Sequence, residues 1–278
     1  MDAILPSQPS SYKQIIKSSF RLYGLSISHC ILLSLTLSIM IFIPRFIFVI
    51  IGEDLFKGMT IFSVQRLWII AINLFCLTFF IGIIWRMNCV LLGKHEPLIE
   101  DIGVGIKKLI YVVLAAIIQS SIILAVYIIG VSLQLLLSKH HLLFGGDLYG
   151  TIIALVYFSG QFILILYIST LFIFLMPLIA VENKGVIGAL IRSISLVWNH
   201  WWRVFSVQIT PWIIYILILL VIRYALNIDI HIYFSAVSEK NLWPAIMHTI
   251  IFAIYIPLSA ATLLVQLKDL ELRKKIMT

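Results

Sequence analysis

Apolar residues run along this chain in continuous blocks, without the alternation that would mark half-buried strands. Six blocks stand out, roughly at 26–51, 67–85, 109–137, 151–179, 204–225 and 243–267. A helix needs about 20 mostly apolar residues to cross the hydrocarbon core of a bilayer, and all six are near or above that length. The third and fourth are long enough to tilt, or to begin in the interface. Continuous apolar runs favour helices over barrel strands, whose outward and inward faces alternate. The pattern predicts an all-α integral membrane protein with six transmembrane helices.

Between the blocks, polar residues recur at helical spacing. In NKGVIGALIRSISLVWNHWWRVF, Asn183 to Phe205, the residues Gly188, Arg192, Ser195 and Asn199 fall at i, i+4, i+7 and i+11. They form one narrow polar stripe on an otherwise apolar helix, the signature of a segment lying in the membrane interface. The first residues repeat the device with Gln14, Ser18 and Arg21, followed by Leu22. The stretch PLIEDIGVGIKKLIYVV repeats it with Asp101, Gly105 and Lys108, followed by Leu109. Leu22, Leu109 and Leu196 are each 87 residues apart. Three amphipathic interfacial helices therefore join the six spans, and the single polytopic domain 1–278 divides into repeat units 10–96, 97–183 and 184–270. Each unit reads as an interfacial helix, an outward span, an outer loop and a return span. Three unrelated hairpins with convergent interfacial helices are the competing interpretation.

Composition agrees. The chain is 62% hydrophobic and 12% charged, with mean hydropathy +1.11, against about a quarter charged in soluble domains. Its net charge of +8 reads as membrane orientation, with no nucleic-acid partner. Fourteen basic residues fall on the side of the termini and six on the other, out of 20, so positive-inside bias places both termini in the cytoplasm. MDAILPSQPSSYKQ lacks the features of a removable signal peptide. Cys30, Cys76 and Cys89 lie in or beside apolar blocks, which argues against a disulfide framework or zinc site. No glycosylation sequon or lipidation signature is present. The expected location is a bacterial cytoplasmic (inner) membrane.

In GALIRSISLVWNHWWRVF a small-residue helix start and Arg-Ser lead through Leu-Val to an aromatic-basic span entry. With YKQIIKSSFRLYG, this resembles a group of six-span bacterial inner-membrane proteins. They are related to the membrane domain of glycerophosphoryl diester phosphodiesterases and include an uncharacterised enterobacterial inner-membrane family. The resemblance covers the whole chain and implies a helical bundle in the inner membrane. It does not imply phosphodiesterase chemistry, whose catalytic barrel is a separate soluble domain.

Catalytic patterns are missing. There is no His-Glu-x-x-His, Gly-x-Ser-x-Gly or phosphate-binding glycine loop, and no cofactor signature. Glu96, Glu100 and Asp101 beside His95 read as a solvated cap, since acids favour a helix N-terminus. His140, His141 and Asp147, and Asp229 with His231, read as polar tips of outer loops; no metal site is expected. The 12 acidic residues all lie in loops or at span ends, which counts against a proton relay. Arg45 and Arg223, near outer span ends, can snorkel to water. Pro44, Pro177, Pro211 and Pro257 should each kink a helix or free a carbonyl. Trp85, Trp198, Trp201 and Trp202 mark an inner aromatic belt, Trp68 and Trp243 an outer one.

The reading favoured is a non-enzymatic membrane protein active in envelope or lipid homeostasis, or supporting a partner membrane protein. Anionic lipid headgroups would meet Lys13, Lys17, Arg21, Lys107, Lys108, Arg192 and Arg203, with Trp198, Trp201 and Trp202 at the boundary. Polar residues within spans, such as Asn73, Ser120, Ser121, Thr210 and Thr249, should mainly bond helices together. One alternative is a transporter or channel for a small solute, its path between the repeats lined by Gln119, Gln161, Gln208 and His248. A membrane toxin or immunity protein is a third class.

Overall fold

The computed structural model describes residues 5–6, 8–51, 64–94, 96–139, 148–225 and 242–277. His95, His140, His141, Asp147, Asp229 and His231 lie outside them. All regular structure among the described residues is helical: α1 (Tyr12–Ile51), α2 (Val64–Leu91), α3 (Leu98–Lys139), α4 (Leu148–Leu171), α5 (Leu175–Ala180), α6 (Val186–Val197), α7 (Trp201–Ala225) and α8 (Leu242–Met277). One turn of 3-10 helix, Trp198–His200, joins α6 to α7. Six stretches are long and apolar enough to cross a membrane, with α4–α5 and α6–α7 each counting as one. This is a multi-pass architecture.

Two of the segments expected to lie in the interface are not separate helices. Tyr12 to Arg21 is continuous with the first span inside α1, and Leu98 to Lys108 with the third inside α3. Neither segment contains a proline, so nothing interrupts the hydrogen-bond ladder between stripe and span. In the Asn183–Phe205 stretch the 3-10 turn separates α6 from α7.

Pro44 and Pro211 lie inside the unbroken α1 and α7, while the other two span prolines leave a visible mark. Pro177 has no N–H and crowds the carbonyl four residues earlier; the helix opens at residues 172–174, separating α4 from α5. Leu175 N–H then bonds to Phe172 O, and the Leu171 carbonyl accepts the Ser193 hydroxyl of α6 at 2.6 Å. Pro257 stays inside α8 and cannot donate to Ala253 O. That carbonyl accepts a hydrogen bond from Ser34 Oγ of α1. Ser34 thus takes up the acceptor that Pro257 itself leaves open, and Ser193 takes up one left by the break ahead of Pro177.

Helix α8 is the hub. In its most apolar stretch 83% of residues are buried, against 11% for α3. Helices α1, α2 and α7 pack around it. Helix α2 ends in a Schellman-type cap: Gly93 has φ 68°, and Lys94 N–H reaches back to Cys89 O at 2.9 Å.

Close approach of α2 and α3 depends on two glycines. A Cβ on Gly105 would stand 2.4 Å from the Thr78 carbonyl oxygen, and one on Gly82 3.2 Å from that of Asp101. Gly105→Ala must therefore separate the two backbones, and overpacking of this kind costs about 1–3 kcal/mol. Thermal unfolding in detergent is expected to show Gly105→Ala as clearly destabilised. Gly103→Ala, whose Cβ meets nothing within 4 Å, should be tolerated.

Candidate functional site

The polar residues collect at two levels of the bundle. The first is the side where the chain's two ends meet. Ser10 N–H donates to Asp269 Oδ1 at 2.7 Å. Arg273 Nε donates to Asp269 Oδ2 at 2.9 Å, and Arg203 Nη2 lies 3.3 Å from the same oxygen. Both arginines also donate to Ser10 O, Arg273 at 2.6 Å. The Asp269 side chain is fully buried. Helix α8 supplies Asp269 and Arg273 one turn apart, on one face, and α7 brings in Arg203 directly after its tryptophans. Deeper along the same two helices, Gln208 Nε2 donates to Gln266 Oε1 at 2.6 Å.

Beside this clasp lies a second group. Arg192 Nη2 stands 3.6 Å from Glu271 Oε1, and Lys274 Nζ donates to Ser195 Oγ at 2.9 Å. Glu182, in the turn between α5 and α6, shares a hydrogen bond with Glu271. Burial, followed by this second carboxyl, pushes Glu182 up to about 7, while Arg192 and Lys184 oppose the shift. The next residue, Asn183, has φ 57°, a left-handed conformation that asparagine tolerates, and its Oδ1 accepts a bond from Lys108 Nζ.

A third group corrects the expectation of a solvated acidic cap. Asp101 does occupy the first turn of α3, but its side chain is fully buried and lies 2.6 Å from Arg86 Nη2 of α2. Arg86 Nη1 also donates to Glu96 O, and Trp85 Nε1 donates to Glu96 Oε2 at 2.9 Å. The close crossing at Gly82 and Gly105 encloses the carboxylate. Only Glu100 of the three acids is exposed.

At the other level, Arg45 Nη1 and His248 Nδ1 are 2.7 Å apart, and the Tyr215 hydroxyl meets His248 Nε2. An arginine only donates, so Nδ1 accepts and Nε2 carries the proton toward Tyr215. Arg45 is 4% exposed. It does not snorkel; it ties α1 to α8, and His248 extends the tie to α7.

The residues singled out for lipid contact divide between two environments. Lys13, Lys17, Arg21 and Lys107 are exposed, as are Trp198 and Trp202. Lys108, Arg192 and Arg203 hold the bonds described above, and Trp201 is half-buried against Tyr167 at 5.3 Å. The four residues proposed to line one solute path are dispersed. Gln161 lines a cavity of about 390 Å³ between α3 and α4, and Gln208 a different one of about 370 Å³ among α4, α7 and α8. His248 is bonded on both ring nitrogens, and Gln119 is half-buried on α3. Thr210, another polar span residue, bonds Tyr12 of α1 at 2.5 Å, a helix-to-helix tie of the expected kind. Among the described residues, no three His, Cys, Asp or Glu side chains group as metal ligands.

Compared with known protein families, curated proteins and solved structures, the chain matches none. Its chemistry has to be read from its own geometry. Buried ion pairs stitch the helix ends together, exposed cations face outward from one side, and apolar cavities lie between the spans. Asp269 and Ser10, which sequence reasoning missed, left one signal: Asp269 and Arg273 at i, i+4 just past the last apolar block.

Proposed function

We propose that this protein is a non-enzymatic, multi-pass component of a bacterial cytoplasmic membrane, with both termini in the cytoplasm. Its role is to bind anionic lipid and support envelope or lipid homeostasis. One observation carries the reading: on the side of the termini, exposed cations alternate with exposed large apolar side chains. Lys13 and Lys17 precede the exposed Phe20 on α1, Lys107 follows the exposed Ile106 on α3, and Ile187 and Ile191 are exposed on α6. Isoleucine and lysine side by side suit the boundary between headgroups and acyl chains, where both are solvated.

In the proposed threefold repeat, the burial pattern agrees between the first and third units. Ile15, Ser19 and Leu22 are buried, and so are their third-unit counterparts Ala189, Ser193 and Leu196. The second unit buries Asp101 and Gly105, one residue out of that register. A solute path between the units has less support, because Gln161 and Gln208 face separate cavities.

Each basic residue near an anionic leaflet contributes ~1 kcal/mol of attraction. Changing Lys13, Lys17, Arg21 and Lys107 together to glutamine is therefore expected to abolish enrichment of phosphatidylglycerol over phosphatidylcholine in co-purified lipid. Phospholipid analysis of the purified variant checks this. Unchanged enrichment with a normal unfolding midpoint would reject the lipid reading.

A further inference from the structure

Two cavities, of about 370 and 350 Å³, adjoin along α8 and share Trp212 and Ser259 as common wall. Both lie in the apolar part of the bundle, and each is within the size range of ligand sites. The break before Pro177 brings Ile173 and Met176 to their edges. The second cavity carries the Asn73 amide on an otherwise largely apolar wall, and in the first the polar side chains are largely bonded already. Ser169 Oγ donates to Ile165 O at 2.8 Å, Thr170 Oγ1 to Leu166 O at 2.7 Å, and the Gln208 amide to Gln266. A polar solute would find few open partners there and would lose its hydration. A hydrocarbon chain loses nothing.

The mouth points to the source of such a chain. Aromatic rings descend from the side of the termini: Trp201 on Trp202 at 5.1 Å, then Trp202 on Phe205 at 5.9 Å. Phe205 itself lines the first cavity. Tryptophans of this kind rest at headgroup level, so the crevice starts directly below the place where a phospholipid headgroup would sit.

We infer that the crevice along α8 is a binding site for one acyl chain of a phospholipid, entering between α4 and α7 beneath Trp202. The inference rests on the lipid reading above and names what its apolar half holds. Ser259 lies on the floor, and Ile209, which is 37% exposed, forms the lip.

The test uses the full chain in nanodiscs of phosphatidylethanolamine and phosphatidylglycerol, doped with phosphatidylglycerol carrying a mid-chain diazirine. Photolysis should place adducts on residues 166–173 and 205–212, several-fold above those on the lipid-exposed outer half of α3. Ile209→Trp at the lip and Ser259→Phe on the floor should each remove most of those adducts. Adducts on α3 should persist and report that the variants are folded and embedded. Should Ser259→Phe fail to fold, Ile209→Trp alone decides. Even labelling of crevice and α3, or crevice adducts unchanged by a folded Ile209→Trp, overturns the inference. Stronger crevice labelling by a water-soluble carbene precursor than by the lipid would make it an aqueous path, and overturns it too. Crevice adducts that persist in the four-residue charge variant, with anionic enrichment unchanged there, would reject the headgroup reading alone. Lost enrichment in that variant, with crevice labelling never above that of α3, would reject only the acyl-chain site.

Discussion

Asp101→Ala is expected to destabilise the protein by about 3–5 kcal/mol, the usual cost of stranding one member of a buried ion pair. The Arg86 guanidinium would remain enclosed where α2 crosses α3, with only the Glu96 carbonyl left to receive its charge. The native pair is close, at 2.6 Å, but it is enclosed, and desolvation of both charges offsets much of their attraction. Its net value is accordingly modest, and removing both charges should cost much less than removing one. The double variant Arg86→Met with Asp101→Leu is expected to recover most of the loss. Unfolding of the four proteins in mixed micelles, titrated with a denaturing detergent, gives the full cycle. Equal destabilisation of single and double variants would mean that packing around Gly82 and Gly105, and not charge, sets the energy of the crossing.

Asp269→Ala is the second large effect expected. Asp269 is fully buried and receives the Ser10 N–H and two guanidinium groups. Its loss leaves Arg203 and Arg273 facing each other with the Ser10 carbonyl as shared acceptor. A cost of about 3 kcal/mol follows from breaking such a network at its anion. The effect should be local as well as global, because Ser10 is held from α7 and α8. Freed of Asp269, the start of α1 should open more often. Every ~1.4 kcal/mol lost locally raises the open population tenfold. Limited trypsin digestion at Lys13 and Lys17 reads that population directly. Unchanged cleavage in a destabilised variant would place the energy of the clasp between α7 and α8 alone.

The spans were legible because each buries or exposes a whole apolar cylinder, and a continuous run of such residues carries that information locally. Charge placement was harder to read. Asp101 in a first helical turn has the address of a solvated cap, and what buries it is a crossing with a helix ten residues earlier in the chain. A trace of that crossing is present in sequence: Gly82 and Arg86 are one turn apart, as are Asp101 and Gly105. A small residue one turn from a charge on each of two neighbouring helices allows backbones to meet over an ion pair. Arg45 escaped for a related reason, since its partner His248 lies 203 residues away. In sequence Lys108, Arg192 and Arg203 look like Lys13 and Lys17, basic residues beside the start of an apolar block. Only packing against α8 and the turn at Asn183 separates those that bond inward from those that face out.

The position of α8 sets an order of events during synthesis. Its partner surface on α1, with Ser19, Ser26, Ser34 and Leu37 buried, is made first, while α8 is the last described helix to leave the ribosome. At ~5–20 residues per second, α1 waits on the order of ten seconds or more for its principal neighbour. During that interval serine hydroxyls must satisfy themselves on their own helix, as Ser19 and Ser26 do with Ile15 O and Leu22 O. Ser34 meets the carbonyl freed by Pro257 only when the final helix arrives. Truncation within α8 would therefore leave a nascent bundle without its centre, a natural substrate for membrane quality control.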